Sequence, residues 1–372
     1  MKEAVNKLKR IKNKIEIMPD NKEKAILIAN YFKLRAFLVD SKQIDDGDLE
    51  YFLHTDVSDY VKMENKEYVN YVNDLKKNIK NLNRILINLR NTYCEGNFNK
   101  DKKRKAISRK KALFLIEKFF KTLGSDVYEW YKNFNQENIN YSFDNTFDTD
   151  GCSYLMLGEK YSYINVCNNS NNLQGYISLV HEYGHAYHEY LTRNNVNLTI
   201  YNINVEVMSL LFEKLFIKFL GDSYDYRVDI NSVWYDYHYE HFWIVMDTII
   251  TSFLLKDGKI SSIDAFLNCK AGCSDEMVYT YQDALGCVSD NYPNLSLEGY
   301  FYIMGNIISD YFLNLMEFDF EKGFKCACNF IQESSLYSIK EIIDKYASDL
   351  SYTKNSIKSV IENGKGYQKV KR

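Results

Sequence analysis

Residues 173–192 read LQGYISLVHEYGHAYHEYLT, and the five residues His181-Glu182-Tyr183-Gly184-His185 within them decide how the rest of the chain is understood. Apolar residues at helical spacing predict a helix over 173–192. Four residues along an α-helix is a rotation of about 400°, so both imidazoles point the same way, about one turn apart, and can bind one metal ion. The glutamate beside the first histidine can then reach a water at the metal rather than the metal itself. It would accept that water's proton as a carbonyl is attacked and pass it to a leaving amine. The chain has six histidines, and an accidental H-E-x-x-H is expected only at roughly the one-in-a-hundred level.

A catalytic zinc site needs a third protein ligand and one position left open, and a carboxylate on a following helix is a common solution. The segment 205–220, VEVMSLLFEKLFIKFL, is apolar almost all round. Glu206, Ser209 and Glu213 nevertheless fall on one stripe at i, i+3 and i+7. An ionised carboxylate in such surroundings is costly unless it is paired. Glu206 is therefore expected as the third ligand, with Glu213 and Ser209 hydrogen-bonding around it. A stripe facing water or structural Arg and Lys residues is the bland alternative. Zinc is the default for a two-His, one-carboxylate set, although cobalt and manganese suit such a site as well.

Only two prolines interrupt the chain, at positions 19 and 293, and apolar residues recur at helical spacing over long stretches, so the fold expected is mainly α. The segment 67–89 shows the pattern in Tyr68, Tyr71, Val72, Leu75, Ile79, Leu82, Leu86 and Leu89. Further helices are predicted near 21–39, 106–134, 203–220, 231–256, 261–271, 297–318 and 335–348. The exception lies between Phe143 and Cys167, where Gly151, Gly158 and the β-prone runs 152–157 and 161–166 predict a short hairpin leading into the motif helix. An Asn-rich turn at 168–172 separates the two. A soft boundary near residue 140 divides an N-terminal helical region, 1–140, from a catalytic helical domain, 141–372.

Bulk properties exclude several other classes. Lys and Arg number 47 against 50 Asp and Glu, a net charge near −3, which asks for no nucleic acid. The basic run at 102–111, KKRKAISRKK, is more often a solvated face than a phosphate contact. The most apolar stretch, Ile244 to Leu255, is too short to span a bilayer and contains Asp247. The N-terminus has the charge of a secretory leader but no apolar core behind it. Eight dispersed cysteines without a C-x-x-C pair suit reduced thiols, so a soluble cytoplasmic protein is expected.

Three stretches resemble the thimet oligopeptidase and oligoendopeptidase F group of zinc peptidases. HEYGHAYHEY at 181–190 looks like that family's signature, with a further histidine at His188. Glu206 to Glu213 is similar to its downstream E-x-x-S-x-x-x-E helix, whose first glutamate completes the zinc site. The hairpin and DGKISSIDAFLN at 257–268 resemble its strand pair and loop-helix unit. The resemblance implies a multi-helix, gluzincin-like zincin with the hairpin next to the active-site helix, and one Zn2+ per chain bound by His181, His185 and Glu206. It also implies oxyanion-stabilising tyrosines, for which Tyr302 is the first candidate and Tyr300 the second. There are departures. Family members are longer, so the helical lid over the substrate channel is expected to be reduced or differently built. The gap between His185 and Glu206 is a few residues shorter, and 294–306, NLSLEGYFYIMGN, lacks the family's histidine.

The function expected is oligoendopeptidase-like hydrolysis of peptide bonds in short peptides, with Glu182 as general base. A metallocarboxypeptidase on a related scaffold, or a catalytically silent zinc-stabilised binding protein, are the alternatives. His188 is expected to hydrogen-bond beside the site rather than ligate, His238 and His241 to be structural, and His54 has no role assigned. The strand edge near Gly151, Cys152 and Tyr163 is a candidate for holding an extended peptide as an added strand.

Overall fold

Helices dominate this chain, because its apolar residues repeat at helical spacing and proline almost never interrupts them. The computed structural model describes residues 2–19, 22–44, 107–134, 138–142, 151–167, 173–195, 204–222, 295–334, 336–337 and 339–347. Within them, α1 (Lys2–Ile17), α2 (Lys22–Asp40), α3 (Arg109–Thr122) and α4 (Ser125–Asn133) precede β1 (Ile139–Ser142), β2 (Gly151–Tyr154) and β3 (Tyr163–Cys167). The chain continues through α5 (Leu173–Thr192), α6 (Val205–Asp222), α7 (Leu295–Phe318), α8 (Phe320–Glu333) and α9 (Ile339–Tyr346). The mainly helical expectation holds, and the motif helix has the limits read from its sequence. The helices expected at 67–89, 231–256 and 261–271 lie outside the described residues, as do the turn at 168–172, the 257–268 segment, His54, His238 and His241. None of the described helices is long and apolar enough to cross a membrane.

Three expectations are corrected in detail. The single helix at 106–134 is two, because the chain turns at Gly124, whose φ of 109° is accessible mainly to glycine. Helices α1 and α8 were not foreseen. The hairpin belongs to a three-stranded sheet of order β1-β3-β2, in which β2 runs antiparallel and β1 parallel to the central β3.

That sheet is covered on both faces. Ile164 and Val166 of β3 join the main core, built from α3 to α9, whereas Tyr154 and Tyr163 join a second cluster under α1 and α2. The pleat explains the split, because cross-strand partners such as Tyr154 and Tyr163 share a face. Phe37 of α2 packs against both tyrosines, with ring centroids 5.6 and 4.8 Å away. Asn30 of α2 clamps the β2–β3 connection, accepting from Leu157 N at 2.7 Å and donating to Leu157 O at 2.9 Å.

In the main core, α5, α6 and α7 cross closely enough to demand glycine. A methyl group on Gly184 would lie 2.4 Å from Ser209 Cα, and one on Gly305 would lie 2.6 Å from Glu206 Cβ. Both distances are well inside van der Waals contact. Lys214 of α6, buried to 3% side-chain exposure, joins α7 by donating to Asp310 Oδ1 at 2.7 Å, Ser309 Oγ at 2.8 Å and Asn306 O at 3.2 Å.

Candidate active site

Two of the five motif residues serve to place the others. Tyr183 points away from the histidines into an aromatic nest, with Phe120, Tyr131 and Phe134 ring centroids 5.3 to 5.4 Å away. Such edge-on packing fixes the rotation of α5 about its axis. Gly184 then allows α6 to come into backbone contact, which sets His181 and His185 opposite Glu206 and Glu213.

The result is a small triangle of donor atoms. His181 Nε2 and His185 Nε2 are 3.1 Å apart, and Glu206 Oε2 is 3.4 Å from the first and 3.5 Å from the second. Two donors about 2.0–2.1 Å from one tetrahedral ion are about 3.3–3.4 Å apart, so the three atoms have the spacing that a single zinc requires. Around this triangle, His181 Nδ1 is 3.1 Å from Glu213 Oε2, and Ser209 Oγ donates to Glu206 Oε2 at 3.0 Å. The first contact orients the ring through Nδ1 and points Nε2 into the triangle.

Electrostatics favour a cation here. Glu182, Glu206 and Glu213 are all buried, and their partners among the described residues are histidines and serines rather than lysine or arginine. Burial works to raise the Glu206 carboxyl, but the neighbouring His185 and the hydrogen bonds from His181 and Ser209 outweigh it and hold the group at about 2. Burial likewise works against a proton on His181, yet Glu206 and Glu213 keep its imidazole well above the ordinary range. A divalent ion answers the same negative field without a proton.

Glu182 lies outside the triangle and is held by the sheet. Ser153 Oγ of β2 is 2.6 Å from Glu182 Oε2 and 3.1 Å from Glu182 O. Gly151, on the same face of β2, lies so close that a methyl group there would be 3.0 Å from Glu182 Oε1. Neither contact was foreseen from sequence. The period-2 alternation of a strand, with Gly and Ser two apart, was the available signal.

Tyr302 of α7 lies beside the triangle, half-buried, with its ring nearly parallel to that of His181 at 6.3 Å between centroids. Tyr300 is on the same helix, and its side chain lies outside the described set. His188 is buried beside the triangle but does not join it. Its Nδ1 has no hydrogen-bond partner among the described residues, and burial, aided by His185, lowers its pKa to about 3, so the ring is neutral. Tyr163 is on the central strand β3 and therefore off the edge. Gly151 and Cys152 belong to β2, an outer strand of the sheet among the described residues.

No protein-family model matches the sequence, and no curated protein does either. Solved structures share the fold. A protein assigned as oligoendopeptidase F from Bacillus anthracis str. Ames matches with a TM-score of 0.50 at 12% identity, over 93% of this chain and 63% of that one. PZ peptidase A with an inhibitor matches at 0.55 and 11% identity, over 97% of this chain and 66% of that one. A second oligoendopeptidase F crystal structure gives 0.54 at 12% identity, over 72% of this chain and 50% of that one. The likeness is one of fold, and the architecture implied by the motif stretches is the one observed. The chain spans about two thirds or less of the length of these structures.

Proposed function

We propose that this chain is a zinc-dependent peptidase, cutting internal bonds of short peptides, with His181, His185 and Glu206 as metal ligands and Glu182 as general base. The observation that carries this reading is the buried triangle of two imidazole nitrogens and one carboxylate oxygen with edges of 3.1 to 3.5 Å. A purely structural zinc site has four protein ligands, whereas three with a carboxylate base alongside is the pattern of a hydrolytic one. Sharing a fold with oligoendopeptidase F and PZ peptidase A is consistent with the same chemistry.

His181, His185 and Glu206 would hold the zinc, which would supply a Lewis acid able to polarise a carbonyl and to lower the pKa of water toward neutrality. The chain's own groups do the rest. Glu182 accepts the proton of the attacking water and returns it to the departing amine. Tyr302 donates a hydrogen bond to the carbonyl oxygen as negative charge develops there, an interaction strongest in the transition state. The edge of β2 away from β3 hydrogen-bonds the backbone of an extended peptide, which selects for extended chains over particular side chains. Glu213 holds the His181 ring in the tautomer that presents Nε2.

The test is cleavage of a mixed library of short peptides by the purified protein, read by mass spectrometry, beside a chelated sample and Glu182→Gln. Internal cuts that vanish in both controls are expected. Loss of single residues from free C-termini only, absent with blocked ends, would replace the endopeptidase reading with the carboxypeptidase one. No cleavage by protein carrying one zinc per chain would overturn peptidase function altogether.

A further inference from the structure

We propose that Ser153 is the positioning residue for the general base: its hydroxyl holds one carboxylate oxygen of Glu182, leaving the other as the working proton acceptor. The inference rests on the peptidase reading above and adds a residue that the motif does not contain.

A serine hydroxyl has one proton to give. Ser153 Oγ has two acceptors in reach, Glu182 Oε2 at 2.6 Å and Glu182 O at 3.1 Å. A separation of about 2.5–2.7 Å is that of a charge-assisted O–H···O− bond, so the carboxylate takes the proton. Oε2 is thereby occupied. Oε1 faces Gly151, where the missing side chain leaves it uncrowded, since a methyl group would stand 3.0 Å from Oε1 and from Cγ. The two residues act from one surface, because positions 151 and 153 of a strand face the same way. They pair with Val166 and Ile164 of the central strand, which are anchored in the main core.

This arrangement solves a problem particular to glutamate. The side chain has three rotatable bonds and gives up much rotamer freedom when it is ordered. A proton acceptor displaced by about 1 Å can lose on the order of a hundredfold in rate. The motif helix fixes the glutamate Cα but not its carboxylate, and Ser153 fixes the carboxylate from outside the helix.

The experiment uses zinc-loaded full-length protein and one peptide shown to be cut by the wild type. Ser153→Ala should lower kcat about tenfold to a hundredfold while KM, zinc stoichiometry and Tm stay near wild type. Ser153→Thr, which keeps the hydroxyl, should recover most of that loss. Gly151→Ala, which keeps Ser153 but crowds Oε1, should also depress kcat with zinc retained. Independently of turnover, the crystal structure of metal-free Ser153→Ala should show the Glu182 carboxylate spread over more than one rotamer. Wild-type kcat in Ser153→Ala, or an unchanged single Glu182 rotamer, would overturn the inference while leaving peptidase function intact. A parallel fall of kcat, Tm and zinc content, unrelieved by threonine, would overturn it in favour of a merely structural role. A zinc-replete but inert wild type would overturn the peptidase reading and this role with it.

Discussion

Replacing Gly184 by alanine tests whether helix spacing builds the metal site. The added methyl would stand 2.4 Å from Ser209 Cα, 2.8 Å from Met208 O and 2.8 Å from Ser209 N. All three are backbone atoms, so no side chain can turn aside. Restoring ordinary carbon contacts of about 3.5–4.0 Å requires α5 and α6 to part by about 1–1.5 Å. Moved apart by that much, Glu206 Oε2 would stand roughly 4.4–5 Å from the histidine nitrogens instead of 3.4 and 3.5 Å. Two donors about 2.1 Å from an ion span at most about 4.2 Å even in line, so the third ligand is lost. Overpacking alone costs about 1–3 kcal/mol. Two measurements separate the effects: unfolding in excess chelator reads packing, and competition with a chelating dye reads zinc affinity. We expect the apo protein to lose about 1–3 kcal/mol and zinc affinity to fall at least a hundredfold. Wild-type zinc affinity in a folded Gly184→Ala protein would refute the dependence of the triangle on helix approach.

Tyr302→Phe should lower kcat about tenfold to a hundredfold with little change in KM or bound zinc, read by steady-state kinetics; an unchanged kcat removes Tyr302 from the oxyanion role. Asp310→Ala should destabilise the protein by about 3 kcal/mol in denaturant unfolding, because it strands the Lys214 ammonium at 3% exposure. Lys214→Met should cost less, since Asp310 at 14% exposure retains some access to water. Glu189 predicts a pH dependence: burial raises its carboxyl to about 7, only partly opposed by Lys33 of α2. From its ordinary pKa up to about 7, the folded state holds a proton that the unfolded chain has released, so stability falls as pH rises through this window. Glu189→Gln should abolish that slope and be the more stable protein above pH 7, by up to about 3 kcal/mol. Parallel stability curves for the two proteins would refute it.

Sequence spacing resolved the elements whose pattern is long and self-contained. The limits of α5 follow directly from its periodicity, and Glu206 stood out because a carboxylate in an apolar helix needs a reason. Helix α1 had the same kind of signal, a buried stripe of Ala4, Leu8, Ile11 and Ile15, but its lysine density drew attention to export instead. Helix α8 carried a legible N-cap, Asp319 accepting from Lys322 N at 3.0 Å. Strand β1 could not be read, because the four residues INYS become a strand only by pairing with β3. The hold of Ser153 on Glu182 was likewise invisible, since it depends on which face of β2 meets α5. A local pattern reports local structure, and the fine adjustment of this site comes from contacts between segments 29 residues apart in sequence.

Ser153 and Tyr154 are adjacent on β2 and face opposite ways, the first to Glu182 and the second to Phe37 and Asp40 of α2. The N-terminal helix pair and the motif helix thus grip one strand from its two sides, through a separate cluster of modest size on the N-terminal side. Partial opening of such a cluster takes less free energy than global unfolding. A mild denaturant or a cavity at Phe37 should therefore release the strand and silence turnover while α5 to α7 still protect their amides from exchange. The far side of a four-residue strand becomes the place where activity and cooperativity come apart.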